Sequence, residues 1–100
     1  MAYFKVVTIN NKSLGLRRNP TILTFPVHRW VKSPTVSVGK ADQGGVWVAQ
    51  GLSQAKSLAK YMKKKYNQET KIYETEVGKI LYQNSYRLKT TKVKLIKEIK

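Results

Sequence analysis

Between Gln54 and Tyr66 the apolar residues Ala55, Leu58, Ala59, Met62 and Tyr66 recur at helical spacing, while the rest of the chain reads in period two or as turns. A single amphipathic helix cannot bury its own stripe, so this segment needs a sheet to lie on. Lys56, Lys60, Lys63 and Lys64 fall on the opposite side of the same helix. Ser53 stands where an N-cap belongs, and Asn67 is a natural stop because Asn tolerates the left-handed conformation that ends many helices.

The strands have to come from the β-branched and aromatic segments around that helix. Residues 3–9 read Tyr-Phe-Lys-Val-Val-Thr-Ile, and alternation sets Phe4, Val6 and Thr8 against Lys5, Val7 and Ile9. Thr21 to Phe25 is expected to form a second strand, ended or made an edge by Pro26, after which Val27 to Val31 can resume pairing. Val46 to Ala49 is a short apolar strand broken by Gly51. Lys71 to Val77 alternates up to Gly78, and Ile80 to Tyr82 can continue it. Ser85 to Thr90 places Tyr86 and Leu88 against Arg87 and Lys89, and Val93 and Leu95 alternate with Lys92 and Lys94. Two connections stand out. Asn10 to Pro20 reads as a loop tipped by Arg17 and Arg18, and Lys32 to Gly45, with Pro34, Gly39 and Gly44, reads as the longest loop. The expected architecture is α+β: one domain over residues 1–100, with a small mixed, mostly antiparallel sheet of about six strands and one main amphipathic helix. With 41% hydrophobic residues the chain can bury a core, and Trp47 and Tyr73 are expected inside it.

Charge narrows the partners. The 20 Lys and Arg outnumber the five Asp and Glu, for a net charge of +15, and both halves of the chain are basic. Such a surface suits polyanions, because neutralised phosphates release condensed counterions and give affinity without sequence dependence. The residues expected to meet nucleic acid are Lys56, Lys60, Lys63 and Lys64 on the helix, Arg87, Lys89, Lys92 and Lys94 on the last strands, and Arg17 and Arg18 in the loop. Trp30, beside Arg29 and near Lys32, and Tyr86 are the aromatic side chains expected to be partly exposed for stacking. No helix-turn-helix pattern, zinc spacing or Gly-aromatic RNA-binding signature is present, so contact with backbone and shape is the expected mode. The alternative is an interaction module that docks on an acidic protein or on a second copy of itself, giving a homodimer. With no cysteine, disulfide frameworks and Cys-based metal sites are excluded. No run of about 18 apolar residues exists to span a membrane, and Met1 to Asn10 lacks the pattern of a signal peptide, so a cytoplasmic protein is expected.

With five carboxylates and one histidine, acid–base constellations can be enumerated. Glu74 and Glu76, two apart on one strand, share a face and could divide acid and base roles or hold a divalent ion. The favoured reading is that they are outward residues compensating lysines across the sheet. His28 is the remaining candidate base or phosphate contact. Asp42 sits in the long loop, where Asp usually makes turns. No metal site and no cofactor are expected for the binding reading.

Gly44-Gly45-Val46-Trp47-Val48-Ala49, Leu52-Ser53-Gln54-Ala55-Lys56, Lys71-Ile72-Tyr73-Glu74-Thr75-Glu76-Val77-Gly78 and the closing Val93-Lys94-Leu95-Ile96-Lys97-Glu98-Ile99 together resemble small phage and virus proteins. That resemblance implies the host cytoplasm. The strand–helix–strand succession is also similar to the middle of mono-ADP-ribosyltransferase-like domains, over about half the chain. By that resemblance Glu76 would orient the nicotinamide ribose, Glu74 would assist the acceptor, and Arg17, Arg29 or His28 would hold the dinucleotide. The chain departs from the family pattern in having no Ser-Thr-Ser strand and no early Arg or His on a first core strand.

Overall fold

The computed structural model describes residues 3–14, 22–32 and 45–100. Along the chain the elements are β1 (Tyr3–Thr8), β2 (Trp30–Lys32), β3 (Val46–Ala49), α1 (Leu52–Tyr66), β4 (Thr70–Val77), β5 (Ile80–Gln83), β6 (Arg87–Thr90) and β7 (Lys92–Ile99). The strands form one sheet in the order β2-β7-β4-β1-β3-β6-β5. Every neighbouring pair in it is antiparallel. The α+β class read from the sequence is therefore the observed one, with seven strands among the described residues in place of about six.

The extra strand comes from the last third of the chain. Gly78 separates β4 from β5, so Ile80 onward does not extend the earlier strand but crosses to the far edge and pairs with β6. β7 then returns to lie beside β4, with a register shift between Glu74 and Thr75. The expected strand over Thr21 to Phe25 is replaced by a different device. Thr21 lies outside the described residues, and Thr24 makes an isolated bridge to Lys12. Phe25, fully buried, is inserted into the core. Its N–H donates to the Asn11 carbonyl at 2.7 Å, and the Asn11 amide donates to the Phe25 carbonyl at 3.3 Å. Pairing resumes only at Trp30, after a turn in which His28 adopts φ +67° and its N–H donates to the Leu95 carbonyl.

Helix α1 packs on β1, β4 and β3. Its buried stripe is Ala55 and Met62 with half-buried Leu58 and Ala59, meeting Phe4, Val6, Ala49 and Ile72 from the sheet. Tyr66, expected on that stripe, is exposed. The N-cap is Gly51, with no side-chain cap, and the Ser53 hydroxyl donates to the Gln54 side chain instead. Asn67 ends the helix as expected, in the left-handed conformation at φ 52°, its N–H donating to the Lys63 carbonyl. Lys63, Lys64 and Lys65 in the last turn favour the helix through its dipole.

The other face of the sheet, the inner face, carries Val7, Val46, Val48, Tyr73, Leu88, Val93 and Leu95 packed with Phe25. Strand β1 is consequently buried from both sides: Val6 meets the helix layer, and Val7 the inner core. Lys5 points to that inner face. It is only 8% exposed, its Nζ donates to the Trp47 carbonyl at 2.7 Å, and it stands 5.2 Å from the centre of the Phe25 ring. Burial disfavours the ammonium and lowers its pKa from 10.5 to about 8.

Because Lys5 titrates lower in the fold than in the unfolded chain, both states hold the proton below pH 8, and the desolvation penalty of about 3 kcal/mol is fully present there. Between about 8 and 10.5 the folded state has released the proton that the unfolded state keeps, so the penalty fades as pH rises. Lys5→Met, which loses one hydrogen bond but no charge balance, is expected to be about 2 kcal/mol more stable than the wild type at pH 7. That gap should close toward pH 10 in paired urea titrations, and a gap independent of pH would contradict the burial of a charged amine.

Candidate functional site

The helix occupies the middle of its sheet face and leaves the two flanks to side chains from β7 and β2 on one side and from β6 and β5 on the other. Residues directly opposite each other on paired strands share a face. Phe4 lies under the helix and opposes Glu74, so Glu74 and Glu76 project to the helix side. Glu76 opposes Lys94, and Lys94 opposes Trp30, which carries the same face out to the sheet edge.

On that flank, Trp30 and Lys32 of β2 meet Lys94 and Lys92 of β7. The Lys92 ammonium lies 4.5 Å and the Lys94 ammonium 5.6 Å from the centre of the Trp30 ring. Trp30 is 40% exposed. An ammonium over an exposed indole is worth about 0.5–1 kcal/mol, which holds it near the ring without fixing it there. Gly78 makes room for the Lys92 stem: a Cβ at position 78 would sit 2.7 Å from Lys92 Cγ and 2.6 Å from Thr91 Oγ1. Two lysines thus lie against one half-exposed tryptophan, Lys32 shares their face from β2, and Glu76 is the next side chain inward.

On the opposite flank, Trp47 and Tyr82 meet edge to face, 5.9 Å between ring centres at 84°. The Arg87 guanidinium lies over Trp47 at 4.1 Å. Trp47 is therefore a half-buried packing partner for a cation on the helix side, and not the core residue its apolar strand suggested. Tyr73 is in the inner core as expected. Tyr86, at the turn before β6, is 69% exposed. The Asn84 side chain shapes that turn by accepting from the Tyr86 and Arg87 N–H groups.

The lysines divide. Lys56, Lys60, Lys63 and Lys64 are exposed along the outward side of α1, with Lys63 ion-paired to Glu69. Lys89 corrects the expectation that strand alternation would aim it at solvent. It faces the helix side opposite Trp47 and Tyr82 and is fully buried. Gly45, at φ +80°, accommodates its stem, since a Cβ there would stand 2.6 Å from Lys89 Cδ and closer still to Cγ. Arg17, Arg18 and Asp42 lie outside the described residues.

The sequence signal missed Lys32, whose period-two spacing from Trp30 could have placed it on the same face. It also missed the cluster at the end of α1, where exposed Tyr61 and Tyr66 meet at 6.1 Å and Lys65 lies 5.4 Å and 5.6 Å from their ring centres. Helical spacing had put Tyr66 on the apolar stripe, which hid that pair.

The carboxylates stand as cross-strand neighbours of lysines: Glu74 opposes Lys97 and Glu76 opposes Lys94. His28 is exposed in its turn, and β7 separates its backbone from β4. Among the described residues no three His, Asp or Glu side chains group as metal ligands. No helix among them is long and apolar enough to cross a membrane.

No family model, curated protein or solved structure matches the chain.

Gly45→Ala tests how firmly the buried lysine is packed. The substitution forces a side chain into the left-handed region and against the Lys89 stem, and it is expected to cost about 2 kcal/mol or more in a denaturant titration. A neutral result would mean that the Lys89 stem can leave its place over Gly45 without consequence.

Proposed function

We propose that this chain binds nucleic acid through the phosphate backbone, without reading base sequence, and that the binding surface is the helix side of the sheet. The observation that carries this reading is the shared side. The exposed ridge of Lys56, Lys60 and Lys64 on α1 and the lysines around Trp30 on β2 and β7 all project to the same side of the sheet. Glu74, Glu76 and Glu98 are the carboxylates of β4 and β7, too few to neutralise this surface in a chain of net charge +15. A polyanion laid along it exchanges condensed counterions for ammonium groups, and that exchange is favourable irrespective of sequence.

If about four phosphates are neutralised, the logarithm of the association constant should fall with the logarithm of salt concentration at a slope near −3.6 on duplex DNA. Lys60→Glu with Lys64→Glu is the informative pair, because Lys63 is already engaged with Glu69. This variant should bind more weakly on every sequence tested and show a slope shallower by about 2. Fluorescence anisotropy over several salt concentrations makes both measurements. Absence of binding even at low salt would overturn the reading.

A second reading is an interaction module for an acidic protein, favoured by the exposed Tyr61–Lys65–Tyr66 cluster, since tyrosine beside a cation suits a protein interface. Capture from nuclease-treated lysate separates the two. A partner that survives nuclease and is lost on Tyr61→Ala with Tyr66→Ala supports the protein reading, and loss of all capture on nuclease treatment supports nucleic acid.

A further inference from the structure

We infer that the nucleic acid bound is single-stranded and that Trp30 is the platform on which one of its bases stacks, with Lys32, Lys92 and Lys94 taking the flanking phosphates. The inference rests on the reading above and assigns a strand state and a role to one flank of that surface. Three features of the site support it.

The first is what a duplex leaves unused. Phosphates satisfy lysines equally well from single or double strands, but the flat face of an indole finds no stacking partner in a backbone. A half-exposed tryptophan among cations gains from a ligand that presents the flat face of a base, and an unpaired base does so without being pulled from a stack.

The second is the exchange that binding would require. In the free protein, Lys92 and Lys94 lie against the Trp30 ring. An exposed contact of that kind corresponds to about two- to fivefold in an equilibrium constant, whereas a base stacked on an aromatic side chain corresponds to about five- to 150-fold in affinity. Stacking wins the ring. The ammonium groups then swing on their flexible stems to phosphates on either side, which the compact charge and three rotatable donors of lysine allow.

The third is position. Trp30 and Lys32 belong to β2, which ends the sheet order among the described residues, so the platform stands at the margin of that sheet and not under the helix. Gly78 keeps the Lys92 stem close across β7, so the ammonium reaches the ring from the inward side while Lys32 flanks the site from β2. A single strand entering there would meet a base platform with the Lys92 and Lys94 ammonium groups beside it, before reaching Glu76 on the way to the helix.

The test uses the full chain, with fluorescein-labelled oligothymidine, oligouridine of the same length, a duplex of the same length, and polyglutamate as a polyanion without bases. The wild type is expected to bind the single strands more tightly than the duplex and polyglutamate. Trp30→Ala should weaken single-strand binding by about tenfold, leave duplex affinity within about twofold, and leave the salt slope unchanged. Trp30→Phe should recover most of the loss, and circular dichroism with thermal melting shows whether each variant folds. Comparable loss on oligothymidine and oligouridine would identify a platform indifferent to the sugar and to the 5-methyl group, and loss on only one would still support stacking while assigning a preference to one of these two groups. Equal affinity for duplex and single strands, unchanged in a folded Trp30→Ala, would overturn the inference while leaving backbone binding intact. Binding to polyglutamate but to no nucleic acid would overturn the proposed function itself.

Discussion

Strand β1 has to satisfy two cores at once, and the rest of the architecture follows from how it does so. Phe4 and Val6 receive the helix on one side while Lys5 and Val7 enter the inner core on the other, so three consecutive residues, Lys5, Val6 and Val7, are buried. A strand buried on both faces has to be central, and β1 sits between β4 and β3 with a six-pair register to β4. Once β1 is central, α1 can cover only the strands beside it. The outer strands β7, β2, β6 and β5 then carry their helix-side residues beyond the helix, which is why the cations and aromatic rings collect on the two flanks.

The flanks resemble each other in construction. Each sets a tryptophan against a cation from the neighbouring strand, and each depends on a glycine that lets a lysine stem pass: Gly78 for Lys92 and Gly45 for Lys89. They differ in burial. Lys89 is enclosed and Trp47 is engaged by both Arg87 and Tyr82, so that flank is a packing arrangement. Trp30 keeps a large part of its surface in solvent, with lysines held by contacts weak enough to exchange. The difference between the flanks gives structural work to one and makes the other the place for the recognition proposed above.

Much of this was legible in the sequence, for physical reasons that differ by residue. The helix and its Asn67 stop followed from period and cap chemistry, because a stripe of Ala, Leu and Met has one packing solution. The class, the late strands and the exposure of Trp30 and Tyr86 also followed. Lys5 and Lys89 did not. Alternation says which face a side chain takes, but not whether that face is covered, and a lysine stem can lie along apolar surface with its amine on a carbonyl. Phe25 was misread for a related reason: its β-prone neighbours suggest a strand, while its actual role is to fill the inner core from a non-strand segment held by Asn11. The Trp30 site was half legible, since its members could be named singly, but their meeting depends on β7 returning to pair with β2.

The central claim, that the helix side of the sheet is the recognition surface, is tested most directly by lysine footprinting with an amine-reactive reagent and mass spectrometry, in the presence and absence of a single-stranded oligonucleotide. The account predicts protection of Lys60, Lys64, Lys92 and Lys94, with Lys71 reacting equally in both states because it opposes Val7 on the inner face of the sheet. Protection of Lys71 with Lys92 and Lys94 unaffected would contradict it.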